Sequence, residues 1–391
     1  MITTARNATL ADLGKLLTEQ QARKLDVVAP ASTLRMEHGR LLVDGSEPVL
    51  SEDGVTATTG VYDATDVFDE GLADKLGIPL PYMRRLRNDR SDLLDANVNG
   101  WLHGYMGSAP ALAEQEVDAI AGDPRSFLLR LFKPAGDAPG IARAFLSDRY
   151  KPIDHFDILT AVLQGIREAG VNAVPTRCDL SERTMRVQIA APEVEALAPL
   201  LLAGYRSPYT GLTGEDNPTV FAGFDFGNSE TGGGAFYIVP RLTIQICTNG
   251  MVLTKDAMRA VHLGGKMEEG VIDWSSDTQA KQVALITAKA RDAARTFLDS
   301  KYMERQIEAI TAIAVTPVTG AEATIKTVAK KLAFSEEVTA GVLDHFIRGG
   351  QLTAGGVMQA VTSFSQSIDD PDKANSLNDQ GIRAMELAAA Q

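Results

Sequence analysis

Cysteine is almost missing from this 391-residue chain, with Cys178 and Cys247 the only two. Both fall in segments with strand character, which excludes a disulfide framework and a cysteine-rich zinc site and makes a reducing cytoplasm the expected compartment. Histidine is as sparse: His38, His103, His155, His262 and His345 are scattered without His-x-x-x-His or Glu-x-x-His spacing, so neither a metal nor another cofactor is expected. No window approaches the ~18 apolar residues that would span a bilayer, and residues 1–10 carry no apolar core behind a basic start. Membrane insertion and secretion are therefore not expected. Catalytic signatures are missing as well. Ser229 has no Gly-x-Ser-x-Gly elbow around it, and the glycine run 232–234 matches neither the phosphate-loop pattern nor the dinucleotide fingerprint. No catalytic residue is assigned. Positive charge is in deficit, 38 lysines and arginines against 51 acidic residues for a net −13, which repels polyanions over the surface as a whole. Any contact with nucleic acid is confined to a local basic stripe or groove.

What is present is ordinary globular material: 45% hydrophobic and 23% charged residues, enough to fold throughout. At roughly 100–200 residues per domain the length calls for two or three units. A first helix is predicted over 9–24, with Leu10, Leu13, Leu16 and Leu17 at helical spacing and Thr9 or Asn7 as cap. Runs at 34–37 and 41–43 around His38-Gly39-Arg40 read as a hairpin, followed by an extended run at 54–61. Two helices, 67–76 and 81–86, flank Gly77-Ile-Pro-Leu-Pro-Tyr82. Beyond a surface connection that ends near Asp118 the period becomes two: strands at 126–133 and 142–146, a helix over 154–169 capped by Asp154 with Phe156, Leu159, Val162, Leu163 and Ile166 on its buried face, then strands at 171–178 and 184–190. After Ser275 the period is helical, with segments at 278–298, 303–313, 321–332, 336–347, 354–367 and 372–389. The expected fold is α+β, a hairpin-rich and mostly antiparallel sheet with packed helices, followed by an all-helical C-terminal region. The expected divisions are a mixed N-terminal region 1–118, a central α+β core 119–275 and a helical region 276–391.

The stretch that looks tuned for more than burial runs from Gly223 to Met251. Asn228, Ser229, Glu230 and Thr231 precede three glycines, and Thr248-Asn249-Gly250 closes the unit. Strand 220–225 is expected to pair with 235–239, with a chain reversal at Pro240-Arg241 bringing Asn249 back, so that Asn228, Ser229, Glu230, Thr231 and Asn249 form one polar cluster with Arg149 or Arg241 balancing Glu230. That cluster reads either as a structural latch or as the floor of a binding groove. A second group is basic: Arg84, Arg85 and Arg87 on one predicted helix, Arg149, Tyr150 and Lys151 ahead of another, and Arg241. Arginine beside tyrosine suits a phosphate contact plus stacking on a base; the alternative is solvated faces paired with nearby aspartates.

Gly-Ile-Pro-x-x-Tyr at 77–82, Asn97-Val-Asn99, Ser147-Asp-Arg-Tyr-Lys151, Gly227-Asn-Ser-Glu-Thr-Gly232, Cys247-Thr-Asn-Gly250 and Gln359-Ala-Val-Thr362 together resemble the phage/plasmid-like proteins classed as the domain-of-unknown-function family numbered 932. The likeness spans most of 60–370 and implies a gene carried on phages, prophages or plasmids, in a family without an established reaction. At the level of fold, hairpin strands followed by a helix are similar to the single-strand annealing proteins of phage recombination systems, such as Red-beta and Erf. The function expected from these readings is a non-enzymatic protein of the bacterial host cytoplasm that binds single-stranded DNA, as an oligomer promoting annealing or recombination. The competing expectation is an acidic factor acting on a host protein, in host takeover or anti-defence.

Overall fold

The computed structural model describes residues 4–44, 49–51, 54–56, 59–105, 120–136, 138–246, 250–253, 258–260, 270–271 and 276–391. In chain order it runs β1 (Ala5–Ala8), α1 (Leu10–Arg23), β2 (Lys24–Pro30), β3 (Leu34–Glu37), β4 (Arg40–Val43), β5 (Val49–Ser51), β6 (Gly54–Thr56), β7 (Gly60–Ala64), α2 (Asp66–Leu76), α3 (Leu80–Asp89), α4 (Ser91–His103), β8 (Gly104–Tyr105) and β9 (Ile120–Ala121). The middle of the chain gives β10 (Ser126–Phe132), β11 (Gly140–Ser147), α5 (His155–Ala169), β12 (Val174–Leu180), β13 (Met185–Leu197), α6 (Pro199–Leu202), β14 (Thr219–Asn228), β15 (Phe236–Ile244), β16 (Gly250–Val252), β17 (Met258–Ala260) and β18 (Gly270–Val271). Helices follow: α7 (Ser276–Phe297), α8 (Ser300–Ala314), α9 (Ala321–Lys331), α10 (Glu336–Gly349), α11 (Ala354–Phe364), α12 (Pro371–Asp379) and α13 (Gly381–Ala389).

Two large sheets result, and the fold is α+β. The first has the order β18-β2-β10-β11-β7-β4-β3, the second β1-β12-β13-β14-β15-β16 with β17 also on β15. Pairing is antiparallel except between β7 and β11. Each strand alternates, as a pleat requires. In the first sheet Leu25, Val27, Ala29, Phe127, Leu129 and Leu131 face helices α2–α4, while Asp26, Val28, Leu128 and Arg130 share the opposite face. In the second, Val187, Ile189, Phe224, Phe226, Ile238 and Leu242 face α1, α5 and α7, and the same core continues into the C-terminal helices. Its reverse face carries Arg177, Asp179, Arg186, Gln188, Asp225 and Arg241.

Local signals predict local structure well. Thr9 caps α1 in a capping box with Asp12, and His38 (φ 53°) with Gly39 (φ 75°) turns the β3–β4 hairpin. Three expectations are corrected. The first sheet mixes strands from both sides of residue 118, because β2 pairs with β10 across about a hundred positions and leaves no local trace; segment 106–119, where the boundary was placed, lies outside the described residues. Phe156 is 37% exposed, and α5 buries Ile158 and Ala161 instead. The run 372–389 is broken at Gln380 into α12 and α13, where Gly381 packs so closely that a Cβ would lie 2.6 Å from Thr362 Cγ2.

Candidate functional site

The β14–β15 hairpin forms, but 220–224 pair with 240–244 rather than with 235–239: Val220 lies opposite Ile244, Asp225 opposite Val239 and Gly227 opposite Tyr237. Pro240 does not reverse the chain. It lies inside β15 opposite Phe224, and its carbonyl accepts from Leu253 N at 2.9 Å, so its missing N–H is on the outer side, where the partner strand changes from β17 to β16. The hairpin tip, 229–235, reaches across to the first sheet, where Gly232 (φ 88°) sits over Leu146 and the Tyr150 hydroxyl donates to Ser229 O at 2.9 Å.

At this junction Asn228, Ser229, Glu230 and Thr231 are all buried. Their partners are not Arg149 or Arg241. Arg143 Nη2 donates to Glu230 Oε2 at 2.8 Å and the backbone N–H of His155 donates to Glu230 Oε1 at 2.5 Å. Arg130, fully buried, binds both oxygens of Asp26 at 3.0 and 3.1 Å, Asp154 Oδ1 at 2.5 Å and the Glu230 carbonyl at 3.2 Å. Lys24 Nζ completes Asp154 at 2.5 Å. Asp154 does occupy the N-cap of α5, but its carboxylate is drawn to these two cations rather than to the helix N–H groups. Burial opposes the charge of Glu230, yet Arg143, Arg130 and the His155 N–H hold its carboxyl well below the usual range. Burial pushes His155 down to about 4 and the Tyr150 hydroxyl up to about 12. The neutral imidazole accepts from the Asn228 amide at 3.1 Å. Asn249 lies outside the described residues. A void of about 10 Å³ adjoins Arg143 and Glu230, room for one water at most. The cluster joins the two sheets.

The basic residues expected to form one groove lie apart. Arg84 pairs with Glu70 at 2.6 Å and Arg85 with Asp89 at 3.8 Å on α3, while Arg87 is clamped by both oxygens of the buried Asp69 and by Gly39 O. Arg149 and Lys151 are exposed ahead of α5, next to the part-buried Tyr150. Arg241 lies on the reverse face of the second sheet.

That face holds a cleft of about 580 Å³, roofed by α12 and the 3-10 turn Ser365–Ser367. Two buried aspartates on its strands orient arginines. Asp225 Oδ2 accepts from Arg241 Nη1 at 3.1 Å and from Arg186 at 3.0 and 2.7 Å, and Arg186 grips Asp379 of α12 at 2.6 and 2.9 Å. Asp179 accepts from Arg177 Nε at 3.2 Å and from the Asn375 amide at 3.1 Å. Asp372, Asn375 and Asp379 share one face of α12, at i, i+3 and i+7, which is why about two turns of polar residues pin the helix over the sheet. Gln188, Phe221, Thr243 and Asn378 line the space between. Asn378 is buried, and its Nδ2 has no hydrogen-bond partner among the described residues. Burial and the neighbouring guanidiniums of Arg186 and Arg177 push Arg241 below its ordinary value, although Asp225 opposes the shift.

No relative decides the matter. No protein-family model matches the chain, and neither does any curated protein or solved structure. The chemistry therefore rests on the residues themselves. The cleft offers guanidinium and amide donors over a part-exposed phenyl ring. Apart from Arg241, none of the cleft residues stood out in the sequence. A usable signal was there: Arg177/Asp179, Arg186/Gln188 and Arg241/Thr243 are polar pairs spaced by two, each in a strand whose alternate residues are apolar.

Proposed function

We propose that this is a non-enzymatic protein that binds single-stranded nucleic acid in the cleft between the second sheet and α12. The observation that supports the reading is the convergence there of Arg177 and Arg241 with the amides of Gln188, Asn375 and Asn378 around Phe221. Guanidiniums suit backbone phosphates. Carboxamides match base edges, and an exposed ring face accepts a stacked base. With a net charge of −13, the rest of the surface disfavours a polyanion, which restricts binding to this place. In this reading the protein works on phage or plasmid DNA in the cytoplasm of the host, and oligomerises to promote annealing or recombination. Fluorescence anisotropy with a labelled single-stranded oligonucleotide at low salt tests it: micromolar binding that weakens with added salt is expected, and no binding at micromolar protein would end it.

A second reading, an acidic factor docking on a host protein, is favoured by a different surface. Leu200, Leu212, Ile347 and Leu352 are each more than half exposed, on segments tied together by Arg206 N to Gly349 O and by Gln351 Nε2 to Leu201 O. One stoichiometric host protein in a pull-down, together with absent DNA binding, would move the assignment there.

A further inference from the structure

The donors of the cleft are free in a particular way. Arg241 uses Nε and Nη1 on Thr243 and Asp225, which leaves Nη2 without an acceptor among the described residues; Arg177 spends only Nε, on Asp179. The Asn378 amide nitrogen, on a residue more than nine-tenths buried, has no partner either. These groups come from three elements, β12, β15 and α12, and all donate. Around them Arg177, Arg186 and Arg241 are interleaved with Asp179, Asp225 and Asp379, and Arg6 Nη2 is committed to the carbonyls of Ser365 and Gln366 on the rim.

We infer that the cleft recognises a phosphomonoester, the 5′-phosphate of a nucleic-acid strand or of a free nucleotide, seated among Arg241 Nη2, the Arg177 guanidinium and the Asn378 amide. Donors arriving from three directions suit a tetrahedral group with three terminal oxygens; a planar carboxylate would be satisfied by the fork of one arginine. A phosphomonoester also carries nearly two negative charges near neutral pH, where an internal phosphodiester carries one. Asp179 and Asp225 act as positioning residues, each holding an arginine by one edge so that its other edge stays open to the cleft. A cleft of about 580 Å³ is the size of a small-molecule site, which takes the terminal nucleotide of a bound strand while the rest of the strand continues outside it.

The inference rests on the cleft being the nucleic-acid site, and the test separates the two. Two oligonucleotides of one sequence, both labelled at the 3′ end, carry either a 5′-phosphate or a 5′-hydroxyl, and a nucleoside 5′-monophosphate is titrated alone by calorimetry and as a competitor. The 5′-phosphorylated strand is expected to bind about tenfold more tightly, as one additional charge-assisted contact provides, and the mononucleotide to compete with it. Asn378→Ala, which leaves the ion pairs of the cleft in place, and Arg177→Lys, which keeps a cation beside the buried Asp179 while removing the guanidinium fork, are expected to erase the tenfold difference while circular dichroism stays unchanged. Equal affinity for the two strands with no mononucleotide binding overturns the inference and leaves the single-strand reading standing. Mononucleotide binding without oligonucleotide binding keeps the inference with a free nucleotide as the source and ends the single-strand reading. Binding of neither probe ends both.

Discussion

Glu230 is held by arginines that belong to a different sheet from its own, so its charge is a joint and not an ornament of the loop. Glu230→Gln removes the carboxylate paired with Arg143 in a buried setting, where leaving a cation uncompensated costs about 3–5 kcal/mol, while Arg130 keeps Asp26 and Asp154. Chemical denaturation should report that loss, while affinity for any cleft ligand, measured per folded molecule, stays unchanged; unaltered stability would deny the joint. His155 adds a pH dependence. The unfolded ring takes up its proton near 6.5 and the folded ring resists until about 4, so over that window the unfolded state binds more protons. The resulting stability is fully present above pH 6.5 and declines by about 3 kcal/mol as pH falls to 4. A series of urea midpoints from pH 7 to 4 measures it, and His155→Asn should flatten that part of the curve. That Asn228, Ser229, Glu230 and Thr231 would need polar partners if buried was legible, with Asn249 outside the described residues. Which partners was not. Arg130 and Arg143 hid inside the apolar runs Ser126-Phe-Leu-Leu-Arg130 and Ala142-Arg-Ala144, where a lone arginine at a buried position is itself the clue that a carboxylate must come from elsewhere.

Among elements, the β14–β15 hairpin does most to fix the geometry, because its body belongs to one sheet and its tip to the other. Gly232 allows this: at φ 88° any other residue is strained, and its Cβ, 2.7 Å from Leu146 Cδ2, would push that methyl aside. Gly232→Ala should lower stability by about 1–3 kcal/mol from backbone strain and overpacking together, read as a shift in the denaturation midpoint; a shift under a few tenths would mean the tip relaxes freely. Hairpins and helices were readable from the sequence because caps, turns and periodicity act within a few residues. The break between α12 and α13 was not, since it answers to Thr362, on another helix. Nor could the placing of α12 over the polar sheet face be foreseen: its anchors, Thr184, Asp179 and Arg186, lie nearly two hundred residues away.

In the whole molecule, two sheets with separate apolar cores meet across one buried set of charges. Hydrogen exchange in Glu230→Gln should therefore rise in both β10 and β14, with α9 and α10 little altered. A rise confined to one sheet would place the mechanical link between them somewhere else.

The pairing of the first thirty residues carries a consequence for how the chain is made. Its earliest strand, β1, ends up against β12, the next, β2, is flanked by β10 and β18, and the last of these strands is Gly270–Val271. On a ribosome that extrudes the N-terminus first, Leu25, Val27 and Ala29 emerge about a hundred residues ahead of β10 and must wait, without that partner, for its synthesis. Translation speed and chaperone supply, rather than final stability, then govern the yield of folded protein, and silent codon changes that slow elongation between residues 30 and 126 should increase the aggregated fraction without altering a single side chain.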